Sequence, residues 1–170
     1  MSVRNEAGEE VPSGEAGSLW VKSPSIMIGY WNNPEETEKA CRSGWLETGD
    51  VVSVDTDGYF WFQGRKKQII VHDGSNIFPQ EVEEALLAHR AVEAAGVIGL
   101  HDLIHGENVR AYVAIRDGFD QPKVQELIDF ARERIGYKAP EEIRFLEKIP
   151  LNPTGKTDRV LLKKMASAHH

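Results

Sequence analysis

Apolar positions follow two regimes along the chain. From Gly14 to Gly64 they come in short runs, Ser18–Val21, Asp50–Val54 and Tyr59–Gln63, separated by turn formers at Pro24, Asn32-Asn33-Pro34 and Asp57-Gly58. That pattern predicts β segments joined by turns. Asp55-Thr56-Asp57-Gly58, set between Val51-Val52 and Tyr59-Phe60-Trp61-Phe62, predicts a tight hairpin in which glycine supplies the positive φ. Pro34-Glu35-Glu36-Thr37 predicts the opening of a short helix, since proline fits the first turn and the acidic pair complements the helix N-terminus.

After Gly64 the period changes. Gln68–Val71 reads as an apolar strand, and Pro79 opens a helix with Val82, Ala85, Leu86 and His89 on one face. Val97–Leu100 and Val109–Ile115 read as strands, the second turning Val109, Ala111, Val113 and Ile115 inward. The strongest helical stripe, Val124, Leu127, Ile128, Ala131 and Ile135, predicts a helix from about Pro122 to Ile135 with Asp120 as its cap and Gly136 as its stop. Ile143–Ile149 reads as a last strand, and Asp158–Met165 as a terminal helix capped by Thr157 or Asp158. The order β, α, β, β, α, β, α predicts a small α+β domain with helices laid on a mixed sheet. The expected boundaries are 1–64 for a β-rich unit, 65–166 for the α+β unit, and 167–170 for a tail whose His169-His170 is set aside as a candidate cloning remnant. The glycine and three cations of Gly64–Lys67 suit a hinge.

Composition narrows the function. With 170 residues, 41% hydrophobic and 28% charged, the chain has core enough to fold. No run approaches the roughly 18 apolar residues of a membrane span, and Met1–Val11 lacks the pattern of a signal peptide, so a cytoplasmic location is expected. The net charge of −7 argues against general nucleic-acid binding. Against that acidic whole, Lys156, Arg159, Lys163 and Lys164 make the C-terminal stretch basic and suited to an anionic ligand. Cys41 is the single cysteine, so neither an internal disulfide nor a cysteine zinc site is expected. His101 and His105 have the offset of a helical zinc pair but lie between two expected strands without the following Glu, so no metal site is expected. Trp20, Trp31, Trp45 and Trp61 all fall in the first third, where packing is their expected role.

Three segments carry candidate chemistry. Gly44-Trp45-Leu46-Glu47-Thr48-Gly49-Asp50 places a carboxylate after a Thr-Gly turn, where it can accept hydrogen bonds from a vicinal diol or simply cap the turn. Gly64-Arg65-Lys66-Lys67-Gln68 offers a guanidinium that can fork onto a diol or phosphate, or stay solvated. Asn152-Pro153-Thr154-Gly155-Lys156 presents a lysine from a glycine-containing loop. It is not a Walker A loop, because the position needing glycine holds Pro150, which has no N–H to offer. An exposed loop with a solvated lysine remains the alternative.

Taken together and in this order, the segments resemble the adenylate-forming superfamily of acyl-CoA synthetases, adenylation domains and luciferases. The resemblance runs from Gly14-Glu15-Ala16-Gly17-Ser18-Leu19 through Met27-Ile28-Gly29-Tyr30-Trp31-Asn32-Asn33-Pro34-Glu35-Glu36-Thr37 to Gly155-Lys156. Asn76-Ile77-Phe78-Pro79-Gln80-Glu81-Val82-Glu83 looks most like acyl- and aryl-CoA ligases. The resemblance implies the C-terminal part of an AMP-forming ligase that activates a carboxylic acid, a fatty acid being the favoured class, as acyl-AMP and passes it to CoA. It implies a β-rich end of a large N-terminal domain followed by a mobile α+β domain. Lys156 would be the catalytic lysine, Asp50 and Arg65 would hold the ATP ribose, Lys67 would mark the hinge, and Asp73, Gly74 and Asn76 would contact cofactor.

ATP, CoA and Mg2+ are the implied cofactors, with Mg2+ held mainly by an enzyme body absent from these residues. The phosphate loop and acyl pocket of such an enzyme would precede Gly14, so the chain alone is expected to be inactive. Asp73 stands where relatives carry a small residue, Gln68 replaces a common acidic residue, and Thr157 replaces an aliphatic one. Asn76 takes a place where some relatives have arginine. A non-catalytic nucleotide- or partner-binding module with the same fold is the competing reading.

Overall fold

The computed structural model describes residues 1–168, so of the expected tail His169 and His170 lie outside the described residues. The chain divides into two compact units between Lys67 and Gln68, inside a 3-10 turn at Lys66–Gln68.

The first unit is one antiparallel sheet with a short helix. Its elements are β1 (Ser2–Arg4), β2 (Ala16–Val21), α1 (Pro34–Ala40), β3 (Cys41–Arg42), β4 (Trp45–Val54) and β5 (Phe60–Arg65). The order is β1-β2-β4-β3, with β5 also on β4. The helix opens as its sequence predicts: Pro34 is in the first turn and the Asn33 side chain accepts from Glu36 N. The β4–β5 hairpin closes with Gly58 N donating to Asp55 O and Gly58 at φ 85°. Strand β4 begins five residues before the expected start at Asp50. It absorbs Thr48-Gly49 as an irregularity, because Trp20 faces Glu47 while Ser18 faces Val51. Packing explains only part of the tryptophan set: Trp20 is buried, whereas Trp31 is 98% and Trp61 59% exposed. Trp61 instead donates from Nε1 to Asp55 Oδ2 at 2.7 Å.

The second unit contains β6 (Ile70–His72), β7 (Ser75–Ile77), α2 (Pro79–Leu87), β8 (Val92–Asp102), β9 (Gly106–Ile115), α3 (Val124–Ile135), β10 (Glu142–Phe145) and α4 (Arg159–Ser167). Its mixed sheet has the order β10-β9-β6-β7, with β8 on β9 and β10 parallel to β9. With helices laid on this sheet, the architecture is α+β.

Strand alternation divides the apolar residues between two faces. Val97, Val109, Ala111 and Val113 join Val82 and Leu86 of α2 and Leu127, Ile128 and Ala131 of α3 in one core. Ile98, Tyr112 and Ala114 join Leu162 and Ala166 of α4 in a second. The sheet is thus covered on both faces, and β9 buries even-numbered as well as odd-numbered positions. Gly96 permits the second packing: a Cβ there would lie 2.9 Å from both Leu162 Cδ1 and Thr157 Cγ2.

Some expected boundaries move. Asp120 does not cap α3, which starts at Val124 after an extended Lys123 (φ −67°, ψ 144°) with no side-chain cap. Gly136 does end it, at φ 61°. For α4 the cap is Asp158, whose side chain accepts from Leu161 N. The two hairpin strands β8 and β9 are longer than expected, and β10 stops at Phe145. No helix among the described residues is long and apolar enough to cross a membrane.

Candidate functional site

The first unit brings Asp50 and Arg65 together. They are register partners on β4 and β5, and Arg65 Nε lies 2.7 Å from Asp50 Oδ1. The same guanidinium donates from its Nη1 to Thr48 O at 3.3 Å. Thr48 Oγ1 accepts from Asp50 N and donates to Leu19 O, each at 3.1 Å. Gly49, at φ 78°, provides the turn between them. Asp50 is therefore fixed from both backbone and side chain. Its Oδ1 is buried against the Arg65 guanidinium, while the side chain as a whole stays 24% exposed. Lys66 pairs with Glu47 at 2.9 Å, and Lys67 is exposed at the end of this unit.

In the second unit Lys156 closes a loop organised by Asn152. Asn152 Oδ1 accepts from Thr154 N at 3.0 Å, Thr154 Oγ1 at 2.7 Å and Lys156 N at 3.0 Å. Asn152 N donates to Lys156 O at 2.8 Å and Gly155 N to Asn152 O at 2.9 Å. Gly155, at φ 79°, makes the reversal possible. The backbone of Lys156 is clamped while its exposed side chain has no ion-pair partner among the described residues. Three residues on, Arg159 forks from Nη2 onto Glu83 Oε1 and Oε2 at 2.6 and 2.8 Å and donates from Nε to Val97 O at 3.1 Å. Glu83 Oε1 also accepts from Val97 N at 2.9 Å. Burial raises the Glu83 pKa above the ordinary carboxylate value, and Arg159 only partly opposes that rise. This network ties α2, β8 and the start of α4 together, three residues after Lys156.

Asp73 and Gly74 form the two-residue turn of the β6–β7 hairpin, His72 facing Ser75. Both central residues have positive φ, 48° and 74°, the requirement of a type I′ turn that Asp-Gly meets well. Asn76 follows on β7, opposite Val71. Asp73 departs from the expected small residue and meets a partner: Oδ1 accepts from His105 Nδ1 at 2.9 Å. His72 stacks on His105, centroids 5.2 Å apart.

The hydrogen bond and charge of Asp73 raise the His105 pKa above 6.5. The protonated pair therefore stabilises the fold fully below pH 6.5, and its contribution fades as pH rises through the folded-state value. In a metal-free NMR titration we expect the His105 midpoint above 6.5, and a lower midpoint in Asp73→Asn. Equal midpoints would refute the pairing. Sequence reading missed this contact, which spans 32 residues, and it missed the Glu83–Arg159 bridge, which spans 76. Neither leaves a local periodic signal.

Comparison with known proteins places the chain. Residues 81–156 match the model of the AMP-binding enzyme C-terminal domain. A long-chain-fatty-acid–CoA ligase of Bacillus subtilis (strain 168) is 42% identical over 167 residues, 97% of this chain and 30% of the ligase. A feruloyl-CoA synthase of an Amycolatopsis species is 42% identical over 157 residues, 92% of this chain and 32% of the synthase. The solved amide bond synthetase from Marinactinospora thermotolerans has a TM-score of 0.90 at 37% identity, over 96% of this chain and 34% of that one. The chain thus spans about a third of the length of these relatives.

Proposed function

Starting from the match of residues 81–156 to the AMP-binding enzyme C-terminal domain, we propose that the chain is the C-terminal part of an ATP-dependent ligase joining a carboxylic acid to CoA. The observation that carries the reading is Lys156, an unpaired cation held on a loop whose backbone is fixed by Asn152. A lysine kept free in this way can be delivered to an anion that forms only during reaction. A fatty acid is the substrate class we favour, on the 42% identity to the fatty-acid ligase. An aryl acid stands beside it on the equal identity to the feruloyl enzyme. The cytoplasm, which supplies ATP and CoA, is the proposed location.

In the first half-reaction the acid's carboxylate oxygen attacks the α-phosphorus of ATP and pyrophosphate leaves. Negative charge builds on the equatorial oxygens and the bridging oxygen, where the Lys156 ammonium stabilises it. Asp50, through the exposed part of its carboxylate, takes the ribose hydroxyls, and Arg65 supports them with its guanidinium. In the second half-reaction the CoA thiol attacks the acyl carbonyl and AMP departs. We assign the hinge between the two arrangements to Lys67, beside the division of the units. Asp73, Gly74 and Asn76 are assigned to the path of CoA. Magnesium supplies charge neutralisation to the ATP phosphates. Asn152 Oδ1 already accepts three donors, so the lysine loop does not fit it as a ligand, and the ion belongs mainly to the rest of the enzyme.

A graft tests the reading. Alone, the chain is expected to give no carboxylate-dependent ATP–pyrophosphate exchange. Joined to a Bacillus subtilis fatty-acid ligase whose own matching segment has been removed, it should restore exchange well above the truncated ligase. Robust exchange by the chain alone would overturn the fragment reading. A well-folded but silent graft would favour a nucleotide- or partner-binding module instead.

A further inference from the structure

Three side chains of the second unit converge where the β6–β7 turn meets the tip of the β8–β9 hairpin, and a fourth lies beside one of them. One ligand atom each from His72, Asp73 and His105 lies within 4.8 Å of the others. The fourth group is Glu141, whose Oε1 is 3.4 Å from His72 Nε2, while Asp73 Oδ2 lies 3.6 Å from that nitrogen. Glu141 is aimed by its other oxygen, which accepts from Val109 N at 2.6 Å. From this arrangement we propose a divalent transition-metal site, of the zinc class, built from His72, Asp73, His105 and Glu141.

Three features make the cluster a ligand set. His72 Nδ1 is 2.7 Å from the carbonyl oxygen of Glu107, so Nδ1 carries the proton and donates it there. The lone pair is thereby left on Nε2, facing the carboxylates, as second-shell carbonyls commonly arrange for metal-binding imidazoles. The separations fit as well. A tetrahedron with metal bonds of about 2.0–2.1 Å has edges of about 3.3–3.4 Å; the two separations at His72 Nε2 are 3.4 and 3.6 Å, and His105 Nδ1, now hydrogen-bonded to Asp73 Oδ1 at 2.9 Å, moves outward when the shared proton gives way to the ion. Finally, two neutral imidazoles and two carboxylates balance a divalent charge, and mixed nitrogen and oxygen donors suit zinc better than magnesium or calcium.

Entry is open, because the side chains of Asp73, His105 and Glu141 are all partly exposed. The ion displaces the proton between His105 and Asp73 and pins the β6–β7 turn to the β8–β9 tip. The site does not depend on the ligase reading, and its test does not measure ligase activity.

The test is equilibrium competition for Zn2+ between the full chain and a chromophoric chelator, in a His169→Ala/His170→Ala background that removes the tail pair. We expect saturation at one zinc ion per chain. His105→Ala, at an exposed hairpin tip, should weaken binding by at least about tenfold. Glu141→Gln should weaken it by less, and His101→Ala, outside the cluster, should leave it unchanged. Co2+ should give the intense visible absorption of a tetrahedral site in the parent and lose it in His105→Ala. Absence of saturable binding at micromolar zinc, or binding indifferent to His105→Ala in a variant with unaltered circular dichroism, overturns the site.

Discussion

In the grafted ligase, Lys156→Ala is expected to lower acyl-adenylate formation by about a hundred- to a thousand-fold, the usual loss when one donor to a developing oxyanion is removed. The size of the effect follows from where the charge is needed. Ground-state ATP is already solvated, whereas the charge on the reacting phosphoryl group appears only as pyrophosphate departs, so the lysine acts on the barrier more than on nucleotide affinity. Exchange should therefore fall through kcat with little change in the KM for ATP. Lys156→Arg keeps the charge on a larger, planar group and should recover only part of the rate. Supplied with preformed acyl-adenylate and CoA, the alanine variant should still make thioester at a rate close to that of its parent, because that step does not expel pyrophosphate. Undiminished exchange in Lys156→Ala would remove the catalytic role. Equal loss in both half-reactions would point instead to a disrupted domain.

Most of the second unit could be read from periodicity, and the exceptions have physical causes. The stripe of α3 and its glycine stop were legible because side chains three and four apart share a face whatever surrounds them. Its start was not, since Asp120 announces a cap that the extended backbone at Lys123 does not use. Strand β8 hid its length in Glu93-Ala94-Ala95-Gly96, which carries no β signature and is held by pairing to β9.

For the candidate site, the motif residues were visible, and the resemblance gave them roles. The pairing of Asp50 with Arg65 is a fact of strand register, and the clamp on Lys156 depends on how an asparagine side chain folds back on its own loop. The His72–His105 stack needed β6 beside β9. Such contacts between distant parts of the chain leave no trace in spacing, which is why His105 was weighed only as a partner of His101.

The largest stability effect is expected at Arg159, which in Arg159→Met leaves Glu83 buried without its partner. Side-chain exposure is 12% for Glu83 and 16% for Arg159, so the cost should lie near the lower end of the range for broken buried pairs, about 3 kcal/mol at neutral pH. For a domain of this size that is a fall in Tm of roughly 10–20 °C in the transition of the second unit.

The pH dependence separates this cause from lost packing. Because burial raises the Glu83 pKa in the folded state, its protonated form is favoured there. The stability linked to that proton is full below about pH 4.5 and is lost as pH rises through the folded-state value. Removing Arg159 takes away the main opposing charge and moves the folded-state value further up. The penalty of Arg159→Met should therefore shrink as the medium is acidified and grow toward neutrality. Glu83→Met/Arg159→Met, which removes both charges, should recover most of the loss at neutral pH. Chemical denaturation of the three proteins across this pH range decides the matter: a penalty that stays constant with pH, or a double variant no more stable than Arg159→Met, would mean that the bridge acts through shape alone. With the bridge intact, α4 stays pinned to β8 directly after Lys156, and the loop that carries the lysine keeps a fixed base.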